Sequence, residues 1–269
     1  MINKYLYLLI IVGFFACKQV PPSFTFVQLC DTQLGMGGYE HDKASFEQAV
    51  KQINALDPAF VVVCGDLVND ASDSSFSDFN SIREGFRMPC YLASGNHDVG
   101  NLPTAQSLIY YREKIGDDYY QFEYSDVAFL VTNTQLWKAE VPEESQRHHD
   151  WFMESLKANK NKFQSQVVIG HYPLYIDSIS EEEAYFNLPS DKRFSLVEAF
   201  EQNHVRAYLS GHTHHRMINQ YNSIWMVGGD PTSKVFDENP LGFRVWTVSA
   251  DTLLHDFVAL EGFEFSTEK

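Results

Sequence analysis

Leu209-Ser210-Gly211-His212-Thr213-His214 carries the strongest structural signal in the chain. The apolar residues that lead into it from Val205 predict a buried strand. Gly211 predicts a tight turn, in which the backbone can come close to a bound ion. The turn presents His212 and His214, two imidazoles two residues apart, which can point towards one site and bind two neighbouring divalent ions. The stretch therefore predicts a strand that ends at a metal site.

The same design, an apolar run followed at once by polar ligand-type side chains, occurs four more times. In chain order the stretches are Leu29-Cys30-Asp31-Thr32-Gln33, Val63-Cys64-Gly65-Asp66, Ala93-Ser94-Gly95-Asn96-His97-Asp98 and Val168-Ile169-Gly170-His171. Carboxylate, amide and imidazole groups are ligands that divalent ions accept in proteins. We therefore expect all five turns to meet at one two-metal centre.

Length and composition suit one large α/β domain. The chain has 269 residues, of which 44% are hydrophobic, enough for a sizeable core. Its formal charge at pH 7 is −16, which argues against nonspecific binding to nucleic acid phosphates. The sequence also has no phosphate-binding P-loop and no dinucleotide fingerprint. We therefore predict no nucleic acid partner.

The N-terminus has the pattern of an export signal. Lys4 precedes an uncharged, mostly apolar run over residues 5–15, which is shorter than the ~20 residues that a bilayer span needs. Ala16-Cys17 then resembles a bacterial lipobox, which predicts cleavage before Cys17 and a lipid on its sulfur. Residues 1–16 would be the signal peptide and 17–23 a tether, with the lipid as the only membrane contact. This predicts an exported lipoprotein in the periplasm or on the outer-membrane surface; an ordinary cleaved signal peptide and an uncleaved anchor are the alternatives.

The rest of the chain predicts two sheets. Between residues 24 and 93 three apolar strands alternate with two helices, the order of a parallel sheet whose ligands lie at the carboxyl ends of its strands. Four strands between residues 217 and 260 follow one another without helices, from which we expect a largely antiparallel second sheet. The predicted fold is α/β, a four-layer α-β-β-α sandwich of two packed mixed sheets flanked by helices.

Other residues have plainer interpretations. His148 and His149 lie on a predicted helix over residues 143–157 without a partner motif, and we interpret them as surface residues. Cys30, Cys64 and Cys90 lie in or beside apolar strands and are expected to be buried free thiols.

The five stretches together resemble the ordered motif set of the calcineurin-like metallophosphoesterases. The resemblance extends from Phe24 to about Ser249, and it makes residues 24–262 the metallophosphoesterase domain. It implies hydrolysis of a phosphoester bond by water that two divalent ions (Mn, Fe, Mg or Zn) activate. It also implies the ligands: Asp31 and His214 for the first metal, Asp66 bridging both metals, and Asn96, His171 and His212 for the second metal.

The resemblance also implies a catalytic pair. His97 would stand beside the substrate oxygens, as proton donor to the leaving group or as a stabiliser of developing charge. Asp98 would accept a hydrogen bond from His97 and so fix the tautomer of its ring.

Gln33 departs from the common family pattern, which has histidine two residues after the first aspartate. Its amide oxygen would be a neutral ligand, weaker than imidazole, and would favour Mn²⁺ or Mg²⁺ over Zn²⁺ at the first site. The alternative is that Gln33 only hydrogen-bonds a water at the metal. The Asp-x-Gln variant resembles two subgroups, the calcineurin-like phosphoesterase-domain Ser/Thr phosphatases and the manganese-dependent ADP-ribose/CDP-alcohol pyrophosphatases.

Ala184-Tyr185-Phe186-Asn187-Leu188-Pro189 looks more like the phosphatase subgroup. That resemblance implies that Tyr185, Phe186 and Asn187 border the substrate. The expected function is hydrolysis of phosphate monoesters, on a phosphoprotein or a phosphorylated small molecule. The alternatives are a phosphodiesterase or pyrophosphatase acting on nucleotide diphosphates such as ADP-ribose or CDP-alcohols, and a non-catalytic surface lipoprotein.

Overall fold

The computed structural model describes residues 23–263 and confirms the predicted four-layer α-β-β-α sandwich. The predicted signal segment, Cys17 and tether residues 17–22 lie outside the described residues. In chain order the strands are β1 (Phe24–Leu29), β2 (Val61–Cys64), β3 (Cys90–Ala93), β4 (Tyr120–Tyr124), β5 (Val127–Val131), β6 (Ser165–Ile169), β7 (Val205–Ser210), β8 (Met217–Tyr221), β9 (Ile224–Gly228), β10 (Gly242–Val248) and β11 (Leu253–Ala259). The helices are α1 (Tyr39–Leu56), α2 (Asp73–Arg83), α3 (Asn96–Val99), α4 (Ala105–Lys114), α5 (Gln135–Lys138), α6 (Glu144–Asn159) and α7 (Ser190–Gln202).

Within the described residues the strands form two mixed sheets, with the spatial orders β11-β10-β1-β2-β3 and β4-β5-β6-β7-β9-β8. Successive side chains of a strand point to opposite faces of the sheet, so alternate residues pack into different layers of the core. On β1, Val27 and Leu29 pack with the residues of α1 and α2, whereas Phe26 packs with Phe129 and Ile169 of the other sheet. Because both faces of the central strands are covered, β2 is an unbroken buried apolar run.

The expectation of a largely antiparallel second sheet from the last four strands is wrong. β9 pairs parallel with β7 and antiparallel with β8, so these two strands extend the six-stranded sheet. β10 pairs antiparallel with β1 and with β11, so the last two strands join the first sheet. The connection over residues 229–241 therefore passes from one sheet to the other. An apolar run predicts a strand but not which distant strand it pairs with, so the pairing of these four strands could not be predicted from the sequence.

The interpretation of His148 as a surface residue is also wrong. His148 is fully buried, its Nε2 lies 2.7 Å from Thr132 Oγ1, and its ring packs between Tyr119 and Trp137. It shares a helix face with Phe152, four residues on, and that face points into the core. His149 is half-buried.

The cysteines and the helices were also compared with the sequence predictions. Cys30, Cys64 and Cys90 are free thiols, as predicted; Cys30 and Cys64 are buried, whereas Cys90 is only partly buried, so the expected burial is wrong for Cys90. Among residues 23–263, no helix combines the length and the apolar character needed to cross a membrane.

Candidate metal centre

Five turns meet where the carboxyl edges of the two sheets come together. Each begins at the end of a strand, where parallel topology places ligand-binding residues. The strands β1, β2 and β3 of one sheet and β6 and β7 of the other carry, in that order, Asp31, Asp66, Asn96, His171 and the pair His212 and His214. All six side chains are buried.

The donor atoms form two overlapping groups. Atoms of Asp31, Asp66 and His214 lie within 4.8 Å of one another, and so do atoms of Asp66, His171 and His212. Asp66 belongs to both groups, which is the arrangement that a carboxylate bridging two ions requires. The carboxylates and imidazoles of these groups are those that the resemblance implied for the first and the second metal; the amide residues Asn96 and Gln33 are not among them.

The histidine rings are oriented by hydrogen bonds that suit metal ligands. His171 Nδ1 donates to the Cys64 carbonyl oxygen at 2.8 Å, and His214 Nδ1 donates to the Lys234 carbonyl oxygen. In each ring Nε2 is left to face a carboxylate, 3.3 Å from Asp66 for His171 and 3.8 Å from Asp31 for His214. Metal-binding histidines usually donate their other ring N–H to a carbonyl or carboxylate in this way. The residues present therefore fit a pair of divalent ions.

Asn96 and Gln33 add two amide oxygens. Asn96 Oδ1 lies 3.0 Å from Nε2 of His171. Gln33 is 1% exposed, and its Oε1 has no hydrogen-bond partner within the described chain. A buried carbonyl oxygen without a partner costs about 1–3 kcal/mol. A metal ion would satisfy that oxygen, so the geometry favours Gln33 as a ligand.

The backbone at the ligands is strained. A left-handed conformation costs a residue other than glycine about 1–3 kcal/mol, and such residues concentrate at functional sites. Five candidate ligands have it: Asp31 (φ 46°), Gln33 (φ 30°), Asp66 (φ 48°), His212 (φ 73°) and His214 (φ 53°).

Two glycines allow the turns to approach closely. A Cβ atom on Gly95 would lie 2.1 Å from Oδ1 of Asp66, and one on Gly211 would lie 2.6 Å from Oδ2 of Asp31. Any side chain at either position would displace a carboxylate. The glycines of these turns are therefore part of the site.

The electrostatics of the site centre on its two buried carboxylates. Burial raises the pKa of Asp31, and the charge of Asp66 adds to that rise, although His214 and His171 oppose it. Although burial disfavours a charged Asp66, the nearby ring of His171 lowers the pKa of Asp66 below its usual range. Burial likewise disfavours a charged His171, yet Asp66 raises the pKa of His171 to about 9. A site with this much negative charge has a strong preference for cations.

Backbone N–H groups support both carboxylates. His212 N donates to Asp31 at 2.9 Å, and His97 N donates to Asp66 at 2.9 Å. Each carboxylate is thereby tied to a turn from a different strand. The hydrogen bonds link the turns to one another and fix the positions of the carboxylates.

The structure places His97 at the site but does not pair it with Asp98, so that expectation is wrong. His97 is half-buried, and its Nδ1 lies 2.8 Å from the Asn69 carbonyl oxygen. The carboxylate of Asp98 accepts instead from the backbone N–H groups of Gly95, Leu67 and Val68. Asp98 is buried, and its hydrogen bonds hold the turns that carry Asp66 and Asn96.

The predicted substrate residues separate into two groups. Tyr185 and Phe186 are 50% and 39% exposed, and their rings lie 5.0 and 5.4 Å from that of His212. Asn187 is buried, accepts from Ala184 N and donates to the carboxylate of Glu181. In the structure Asn187 holds the loop that presents the two aromatic rings, and its contact with the substrate stays a prediction.

Sequence reasoning missed the segment that follows β9. Its Lys234 carbonyl orients His214, and its Ser233 hydroxyl donates to the Asp31 carbonyl oxygen at 2.8 Å. A signal was present, because Val227-Gly228-Gly229-Asp230 repeats the design of an apolar run, glycine and aspartate.

Two overlapping groups of buried carboxylates and imidazoles, at the edge of an α-β-β-α sandwich, define the class of dinuclear metal-dependent phosphoester hydrolases. The chain belongs to the calcineurin-like phosphoesterase family, which matches residues 24–216. It is accordingly a hydrolase that acts on phosphoester bonds of phosphorylated substrates.

Curated relatives support that membership. The chain is 33% identical over 263 residues to the serine/threonine-protein phosphatase CPPED1 of Bos taurus, across 88% of this chain and 84% of the relative. It is 26% identical over 199 residues to the 3′,5′-cyclic adenosine monophosphate phosphodiesterase CpdA of Haemophilus influenzae, across 71% and 68%. Among solved structures, a dimetal phosphatase from Danio rerio shares the fold with a TM-score of 0.63 at 15% identity, over 86% of this chain and 98% of that one.

Replacing the shared carboxylate should weaken both metal sites. We expect Asp66→Asn to bind less metal at the first and at the second position, because the amide keeps the size of the side chain but removes the charge common to both groups. Metal content after dialysis against limiting Mn²⁺ measures this. Asp70→Asn, at an exposed position four residues on, is the matched control. Two full equivalents in Asp66→Asn would contradict the bridging assignment.

Proposed function

We propose that this protein hydrolyses phosphate monoesters, including phosphorylated serine and threonine, and that Mn²⁺ is its preferred ion. The observation that carries the proposal is the pair of metal-ligand groups that share Asp66. The similarity to a serine/threonine-protein phosphatase over 88% of the chain supports the choice of substrate. The neutral oxygen of Gln33, in place of an imidazole, favours manganese over zinc.

The ligand assignment follows the two groups. Asp31, Gln33 and His214 would hold one ion, Asn96, His171 and His212 the other, and Asp66 both. Divalent ions bound there supply Lewis-acid polarisation of the phosphoryl oxygens and an activated water. The protein supplies the fixed geometry, because buried hydrogen bonds restrain the carboxylates and the rings before a substrate arrives.

His97 is the proposed general acid. Its Nδ1–H donates to the Asn69 carbonyl oxygen, which orients the ring. Nε2 is then the atom that gives a proton to the leaving oxygen. Partial exposure of the ring suits this role, because the proton must be restored from solvent after each turnover.

Tyr185 and Phe186 are proposed to contact the substrate on the side of His212. Their loop is preorganised, because the carboxylate of Glu181 accepts from the backbone N–H groups of Ile176, Asp177 and Ser178. Fully buried Arg193 also donates to the Ile179 and Glu181 carbonyl oxygens. The two rings therefore form a fixed wall beside the metal groups, on which the organic part of a substrate can pack.

A second candidate is cleavage of phosphodiesters or pyrophosphates in nucleotide-like substrates. The similarity to a cyclic nucleotide phosphodiesterase favours it, and the two exposed rings could stack on a base.

A substrate panel separates the two candidates. With Mn²⁺, we expect the purified protein to cleave p-nitrophenyl phosphate and phosphoserine or phosphothreonine peptides with a kcat/KM at least ~10-fold above that for bis-p-nitrophenyl phosphate, ADP-ribose and cyclic AMP, a difference of about 1.4 kcal/mol in transition-state stabilisation. Asp66→Asn, purified in parallel, controls for contaminating phosphatases. Faster turnover of diesters or diphosphates would favour the second candidate, and no turnover of either class would contradict both.

Removing the His97 ring should slow catalysis without removing metal. We expect His97→Ala to lower kcat about 10²- to 10⁴-fold, the usual contribution of a general acid, while the metal content stays that of the wild type. The loss should shrink for substrates with a good leaving group such as p-nitrophenolate, which needs less protonation. A variant that loses metal together with activity would show instead that His97 is a ligand.

We also propose that the chain is exported and lipidated at Cys17. The support is the charged start, the apolar run over residues 5–15 and Ala16-Cys17. Expressed in a bacterial host, the protein should partition into detergent and carry a lipid-sized mass addition on Cys17. Cys17→Ser should abolish both, whereas Cys90→Ser should abolish neither. An unmodified Cys17 in the mature protein would contradict the proposal.

A further inference from the structure

Three residues of the connection between β9 and β10 contact the candidate ligands from outside the five motif turns, and a fourth, Asp230, anchors that connection. We name Asp230, Ser233, Lys234 and Phe236 the clasp. All four lie beyond residues 24–216, the part of the chain that the family match covers. The connection that carries them passes from the six-stranded to the five-stranded sheet beside the metal groups.

The clasp contacts two ligands directly. The Ser233 hydroxyl donates to the Asp31 carbonyl oxygen at 2.8 Å, and the Lys234 carbonyl accepts from Nδ1 of His214. Phe236 stacks on the His214 ring at 4.7 Å, and its backbone N–H donates to the His214 carbonyl oxygen at 3.0 Å. Asp31 and His214 are two of the three residues assigned to the first metal alone; the third is Gln33.

The contacts of the clasp are confined to that side of the site. Within residues 23–263, its hydrogen bonds to candidate ligands go to Asp31 and His214, and Asn96 and His171 receive none. A disturbance of the clasp should therefore affect the first metal far more than the second.

Asp230 anchors the clasp through two arginines. Its carboxylate is 3% exposed and lies between Arg216 and Arg244. Arg216 Nε donates to Oδ1 at 2.8 Å, and Arg244 Nε lies 2.7 Å from Oδ2 as an ion pair rather than an aligned hydrogen bond. Arg216 follows His214 by two residues and Arg244 belongs to β10, so one carboxylate ties the end of the histidine turn to the first sheet.

The backbone at Gly229, just before the clasp, lies in close contact with the turn that carries His212 and His214. Gly229 has φ +80°, and a Cβ there would lie 1.9 Å from the His215 carbonyl oxygen. Asp230 also has a left-handed backbone, with φ 58°. The connection therefore needs glycine at this point, and its course is fixed by its contact with the histidine turn.

We propose that Asp230 and Ser233 are positioning residues for the first metal. They keep Asp31 and His214, two residues with strained backbones, in the orientation that binds an ion. The inference rests on the proposed two-metal site and adds to it the claim that the two positions depend on different supporting residues. Residues that orient metal ligands typically contribute 10- to 100-fold to metal affinity.

Calorimetric titration of the metal-stripped full chain with Mn²⁺ tests the proposal. Wild type should bind two ions. Ser233→Ala and Asp230→Asn should bind one ion as tightly as wild type and the other about 10- to 100-fold more weakly. Thr232→Val is the matched control, because the Thr232 hydroxyl is buried beside Ser233 but has no hydrogen-bond partner in the described structure. It should bind both ions as wild type does.

Two results would overturn the proposal. In variants whose circular dichroism shows a native fold, two unchanged Mn²⁺ affinities would mean that the clasp is only structural. Equal weakening of both affinities would contradict its restriction to the first metal. If Asp230→Asn does not fold because its two arginines lose their carboxylate, Ser233→Ala decides alone. Wild type that binds fewer than two ions would contradict the proposed function itself.

Discussion

The buried carboxylates of Asp31 and Asp66 repel each other, and the surrounding structure compensates for that repulsion. A buried charge is tolerated only when it is paired, hydrogen-bonded or bound to a metal. All three apply to these carboxylates. Imidazoles from the six-stranded sheet lie beside them, backbone N–H groups from neighbouring turns donate to them, and they belong to two groups of donors suited to divalent ions. The charge that makes the site costly to bury is the same charge that makes it bind cations.

The sandwich tolerates this arrangement because its hydrophobic core is separate from the strand ends that carry the site. Apolar layers lie between the sheets and under the helices on both sides, and the strained residues lie at the strand ends beyond those layers. Left-handed backbone at five candidate ligands costs stability that the core offsets. Hydrogen bonds already orient the carboxylates and rings without a bound ion, and ligands that are oriented in advance lose less entropy when an ion binds.

How much the sequence could predict depended on whether the signal was local. The strand ends that carry the six main candidate ligands and the α/β class were predictable, because an apolar run with a glycine and a polar residue at its end specifies a strand and its turn. Features that depend on contacts between distant segments were not predictable. The partners of β9 and β10, the burial of His148 and the direction of the Asp98 carboxylate all depend on segments far away in the chain. The pattern Val227-Gly228-Gly229-Asp230 marks the segment that supplies the contacts of Ser233 and Lys234, but not the contacts themselves, because a backbone carbonyl can be supplied by any residue type.

Anomalous scattering from crystals soaked in Mn²⁺ would test whether two ions share one carboxylate here. The account predicts two manganese peaks with Asp66 between them, one bounded by Asp31, Gln33 and His214 and the other by Asn96, His171 and His212. A single peak, or two peaks of which only one lies against Asp66, would contradict it.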